Sequence, residues 1–174
     1  MNRKITITAV VIIAVLLAAI FVSLKLSETS MELQKEILSN AEILLKDEDN
    51  EIILTKEDIS NCGEENFHAI LDTSDTDPST HSYTGVELKN ILISCNIDFH
   101  DKSTVVLSAA DGYSVAYSMD EVAMDNNVYI AYMEDGELLG SRDVDGRGPY
   151  EAIIVSDYFS NRRCKWLTKI EVRR

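Results

Sequence analysis

The sequence predicts a mixed α+β domain, dominated by short strands, behind a single transmembrane helix. Three observations carry that expectation. The chain begins with a long apolar run that holds no charge. Two Asp-Gly pairs, Asp111-Gly112 and Asp135-Gly136, each separate runs rich in β-branched and aromatic residues, the pattern of a tight hairpin. Between strands, "TKED" and "SMDE" have the Thr-x-x-Asp and Ser-x-x-Glu spacings that cap short helices. Many short strands with brief helices between them make an α+β arrangement.

The apolar run is Ile5–Val22, preceded by Arg3 and Lys4. At about 1.5 Å per residue such a helix just spans a hydrocarbon core of about 30 Å. A cleaved signal peptide has a shorter apolar region and a small-x-small site. Here the run leads into "FVSLKLSETS", where Val22, Leu24 and Lys25 form no such site, and no Cys follows to take a lipid. Residues 1–26 therefore read as an uncleaved signal anchor. Arg3, Lys4 and the amine precede the span and only Lys25 directly follows it, so the amino end stays in the cytoplasm. The expectation is a single-pass protein of the cell membrane, with everything after residue 26 extracytoplasmic.

Residues 27–50 read as a stalk helix and linker. Met31, Leu33, Ile37, Leu38, Ile43 and Leu44 loosely follow a helical period, and the acidic "KDEDNE" ends it. The globular domain spans 51–174. "EIIL" is a strand, "TKEDI" a capped helix and "NFHAIL" a second strand that packs His68. "DTSDTDPSTHSY" reads as a long polar loop. "TGVELKNILISC" places Val86, Leu88, Ile91, Leu92 and Cys95 on one helix face, with Thr84 or Gly85 at its start. "STVVLSAADGYSVAYS" and "NVYIAYMEDGELL" are the two hairpins, and "SMDE" opens a short helix between them. "YEAIIVS" and "CKWLTKIEV" complete the strands. In the last, Leu167 falls among Lys165, Lys169 and Glu171, so both sides of the strand are partly covered and Trp166 is core or half-buried.

The composition bounds the function. All 30 acidic residues and 13 of the 16 basic ones follow residue 26, which makes the exported part strongly acidic and excludes nucleic acid as a partner. Cys62, Cys95 and Cys164 allow at most one disulfide; a Cys62–Cys95 bridge and small buried hydrophobes are both open readings. His68, His81 and His100 have no metal-ligand spacing. Asp72, Asp75 and Asp77 share a loop but lack the EF-hand pattern, and Asp, Ser, Thr and Pro make ordinary turns, so no metal site is expected. No Gly-x-Ser-x-Gly elbow, P-loop or dinucleotide fingerprint is present, and no catalytic residue is assigned. In "RDVDGRGPYE", Arg142 and Arg147 are placed either to grip an anion beside Gly146 and Gly148 or to lie solvated on a connector.

The order of the pieces adds more than any one of them. A strand and capped helix lead into "YTGVELKNILISCNID", then "VVLSAADGYSVAYSMDEV", "NVYIAYMEDGELL", "GRGPYEAIIV" and "CKWLTKIEV". This order resembles the molybdopterin-binding oxidoreductase domain of the sulfite-oxidase type, over about residues 51 to 172. The resemblance implies that fold, and a cofactor whose molybdenum is ligated by a cysteine thiolate after the second strand. Here the matching stretch, "ILDTSDTDPST", has no Cys, and residues 51–141 hold only Lys56, Lys89 and Lys102 as cations. A soft thiolate is not replaced by a carboxylate or hydroxyl without changing the metal chemistry. The resemblance with that departure implies a non-catalytic, cofactor-free domain. It would bind a small molecule or an envelope protein on the side of the fold that carries Tyr83, Arg142, Arg147 and Tyr150. The alternative is a genuine molybdopterin-dependent oxidoreductase with a reduced active site, transferring an oxygen atom with Cys62 or with no thiolate.

Overall fold

The structure, a computed structural model, describes residues 3–48, 50–73 and 76–174, with side chains from Ile12 onward except at Thr76. The chain divides into one unit that ends at Glu36 and a second, Ile37–Arg174. Helix α1 (Arg3–Ser39) supplies the described residues of the first, and its last three residues belong to the second. From Ile12 on it is long and apolar enough to cross a membrane, and Leu16, Leu17, Phe21 and Leu24 are all exposed. The Arg3 and Lys4 side chains, on which the orientation rests, lie outside the described residues.

The second unit is mixed and strand-rich. Its strands are β1 (Ile43–Asp47), β2 (Asn50–Leu54), β3 (Glu64–Thr73), β4 (Thr76–Glu87), β5 (Thr104–Ala109), β6 (Ser114–Ser118), β7 (Val128–Glu134), β8 (Glu137–Leu138), β9 (Glu151–Ile154) and β10 (Leu167–Arg173). Three short helices join them: α2 (Lys56–Asn61), α3 (Leu88–Ser94) and α4 (Met119–Ala123). One sheet has the order β2-β1-β10-β5-β6; the other has β3-β4-β7-β8, with β9 also paired to β7. Both expected hairpins form, β5–β6 and β7–β8. Both expected caps are reciprocal boxes: Thr55 with Asp58 opens α2, and Ser118 with Glu121 opens α4.

Three local expectations are corrected. Ile43 and Leu44, placed on the stalk helix, belong to β1, which pairs in parallel with β10. Ile43 and Leu45 are buried two positions apart, a strand period that "EILLK" also allows. The polar stretch after "ILDT" is a strand as well. In its described part β4 ladders antiparallel to β3 from Ser79↔Leu71 to Val86↔Glu64, and α3 starts only at Leu88. Its outer residues are exposed, so backbone pairing rather than side-chain burial holds them, and composition alone reads as loop. Asp75, part of the Asp72/Asp75/Asp77 group, lies outside the described residues. His68, expected in the interior, is exposed, because Phe67 and Ala69 take the inward positions on β3.

The main core lies between the sheets. Ile43, Leu45, Val105, Leu107 and Ile170 from one meet Val86, Val128, Ile130, Tyr132 and Ile154 from the other. Ile59, Leu88, Ile91, Leu92 and Val122 add the helices. β7 is buried on both faces, so its alternate residues Tyr129 and Ala131 join Phe67, Tyr83, Leu139 and Ile153 in a second cluster. In that cluster Phe67 stacks on Tyr129 with ring centroids 3.9 Å apart. A register shift between Leu167 and Lys169 makes Thr168 the extra residue of a bulge in β10. Leu167 and Ile170 therefore both face inward despite their odd spacing.

Candidate functional site

A cleft of about 520 Å³ opens where the end of β3 meets the segment before β10. Leu71, Asp72 and Thr73 form one wall; Phe159, Ser160, Asn161, Arg163 and Lys165 form the other. The walls are tied together by the Ser160 hydroxyl, which bonds the β3 backbone twice. The Asp72 N–H has no ladder partner where β3 changes register, and it donates to Ser160 Oγ at 2.9 Å. Ser160 Oγ donates in turn to the Ile70 carbonyl at 3.2 Å. Phe159 stays exposed at the rim, edge-on to Tyr158.

Arg163 is the innermost wall residue and only 8% exposed. Its guanidinium donates to Ile70 O at 2.7 Å and to the Tyr83 hydroxyl at 2.9 Å. Tyr83 donates to Glu134 Oε1 at 2.8 Å, and Arg147 donates to Glu134 Oε2. Behind them Glu151 is fully buried, with neither carboxylate oxygen hydrogen-bonded. Arg147 Nε and Arg163 Nη1 stand 3.6 and 3.9 Å from its two oxygens. Burial raises the Glu151 carboxyl above its ordinary range and outweighs the two guanidinium groups. Burial likewise raises the Tyr83 hydroxyl, which stays protonated as a donor.

The four residues singled out from sequence separate. Tyr83 and Arg147 meet, sharing Glu134, with the guanidinium 6.0 Å from the ring centre. Tyr83 is fully buried and reaches the cleft only through Arg163. Arg142 lies over the Trp166 ring at 5.1 Å. Tyr150 is buried in the main core, edge-on to Tyr132. Sequence reasoning missed Ser160, Arg163, Glu134 and Glu151, and weighed Asp72 only as part of a cation loop. One signal was present: "PYEAIIV" puts a carboxylate inside an apolar strand, and such a charge needs cations from elsewhere in the fold.

One group of three could offer ligand atoms to a cation among the described residues: His81, Glu134 and Asp135, within 4.8 Å of one another. Each is already engaged. His81 Nδ1 meets Asp135 Oδ2 at 2.8 Å, the Ser82 N–H donates to Asp135 Oδ1 at 3.0 Å, and Arg147 supplies Glu134 with positive charge. A molybdenum–pterin group makes a different demand, for a thiolate at the cleft. Cys62 and Cys95 close the ends of α2 and α3. Cys164 sits between two cleft residues but faces the main core, where burial pushes its thiol up to about 12. The cleft offers a carboxylate, hydroxyls, an amide and two cations, one of them already bonded to Tyr83 and Ile70. These residues do not fit the group.

The profile of the oxidoreductase molybdopterin binding domain matches residues 33–174. Among solved structures, the sulfane dehydrogenase SoxCD from Paracoccus pantotrophus aligns with a TM-score of 0.64 at 14% identity. That alignment covers 78% of this chain but 39% of the other, so the likeness is one of fold over less than half of that protein. No curated protein matches the chain.

Proposed function

The chain belongs to the oxidoreductase molybdopterin binding domain family, and on that premise we propose that it is a member that has lost the cofactor and works by binding. Its site is the cleft between the end of β3 and residues 159–165. One observation carries this reading: no thiol lines that cleft, and all three thiols of the chain lie elsewhere. The inner cation, Arg163, is spent on Tyr83 and Ile70, which leaves Lys165 at the mouth as the exposed one. Phe159 offers an aromatic face, and Asn161 and Lys165 offer polar heads. Such a lining suits a small molecule or a segment of an envelope protein.

We also propose that the domain stands outside the cytoplasm on α1. The apolar stretch of that helix supports an anchor, and Arg3 and Lys4 before it set the direction. Protease added to intact cells or spheroplasts should remove Ile37–Arg174; protection until lysis would reverse the orientation.

The deciding experiment is the molybdenum and pterin content of the full chain, purified in detergent from a host that makes and exports the cofactor. Folded protein free of both supports a binding module on an enzyme's scaffold. Stoichiometric molybdenum with a pterin fluorescence signature overturns it and points to oxygen-atom transfer.

A further inference from the structure

The three thiols have unequal surroundings. Cys164 is fully buried, and its backbone is bridged to Ala152. Cys62 and Cys95 are half-buried, and both line one groove of about 340 Å³ beside the edge strand β2. Each closes the C-terminal end of a short helix, Cys62 on α2 and Cys95 on α3, by donating its N–H to the preceding turn. Next to Cys62, Gly63 faces the first turn of α3: a Cβ added there would sit 3.7 Å from Asn90 Nδ2. Gly63 itself has φ +106°, which lets the chain leave α2 sharply for β3 with Cys62 at the corner.

From this placement we infer that Cys62 and Cys95 are a redox pair, which closes to an intramolecular disulfide on meeting a disulfide oxidant while Cys164 remains a thiol. The oxidant is an external disulfide, either a low-molecular-weight one or one borne by an oxidase protein. The Cys62 thiolate attacks one of its sulfurs, breaks the S–S bond and releases one thiolate, which takes up a proton. Cys95 then gives up its proton and attacks the Cys62 sulfur of the mixed disulfide, expelling the second thiol. Two thiols of the chain are oxidised and one external disulfide is reduced to two thiols, so two electrons and two protons balance.

The order of attack follows from the environment. Burial, and then the nearness of Cys62, raise the Cys95 thiol above its ordinary range. Cys95 is therefore a slow partner for a molecule in solution, but it serves when its target is held beside it. The bond would tie the end of α2 to the end of α3 and close the β3–β4 hairpin inside a covalent loop. It does not rest on the ligand reading of the cleft.

The test uses the full chain in detergent, fully reduced, then equilibrated with oxidised glutathione, alkylated and weighed intact. The expected product is a monomer with two fewer alkylated thiols. After trypsin, the segment 57–89 should be joined to 90–102, since Lys56, Lys89 and Lys102 bound those two peptides. Cys164→Ser should leave this result in place, and Cys62→Ser or Cys95→Ser should abolish the internal bond. Three alkylated thiols after oxidation, a bond to Cys164, or disulfides only between chains would overturn the inference.

Discussion

The Arg163 guanidinium and the Tyr83 hydroxyl meet at 2.9 Å inside the domain, at the back of the cleft. This contact turns a surface-looking cation of "NRRCKW" into an interior one. It links the cleft wall to Tyr83, Glu134 and Arg147, and it places Arg163 beside a carboxylate, Glu151, that has no hydrogen bond of its own.

Arg163→Ala should be strongly destabilising. It leaves the Tyr83 hydroxyl without its donor, the Ile70 carbonyl with only Ser160 Oγ, and Glu151 with Arg147 as its remaining ion-pair partner. Breaking a buried ionic cluster from one side costs about 3–5 kcal/mol. Urea unfolding should show the loss as a lower midpoint at unchanged slope. A change of under about 0.5 kcal/mol, typical of a surface site, would mean that Arg163 swings out into the cleft.

Glu151→Gln should do the reverse at neutral pH. The folded-state carboxyl titrates above its unfolded value, so folding favours the protonated form. That contribution is present below the unfolded value of 4.5 and is lost as pH rises through the folded one. A neutral isostere keeps it. The variant should therefore melt higher than the parent near pH 7, and the two should converge on acidification to about pH 4.5. A variant that melts lower at pH 7 would show that the arginines outweigh burial.

Glu171 gives the opposite sign. Arg173 and Lys169 grip its carboxylate from either side, at 2.6 and 2.5 Å, and hold it down at about 2. Its contribution is full above the unfolded value of 4.5 and disappears as pH falls through about 2. Glu171→Gln should thus lower stability at pH 6 and leave it unchanged at the acid end. A gap of constant size across that range would rule out charge as its cause.

Trp166→Phe isolates one hydrogen bond. The indole Nε1 donates to the Gly146 carbonyl at 2.7 Å, while Arg142 covers the ring. Phenylalanine keeps a ring for Arg142 and loses the donor, at a cost of about 1 kcal/mol. A loss several times larger in thermal or urea unfolding would show that indole volume, rather than the bond, fixes the 140s loop to β10.

The sequence by itself determined what depends on neighbours in the chain. Both Asp-Gly hairpins, both capping boxes, the apolar helix and the family order were legible, because turn chemistry and capping act over about four residues. The missing thiol of "ILDTSDTDPST" was legible for the same reason. Only the tertiary structure decided β4, whose polar residues are a strand because β3 lies alongside. It alone converted Tyr83 and Arg147 from candidate ligand groups into partners of Glu134, set Arg163 beside Glu151, and brought Ser160 to Asp72 across 88 positions. The physical reason is burial. A charge or backbone group removed from water must find its partner wherever the fold supplies one, and separation along the chain carries no record of that.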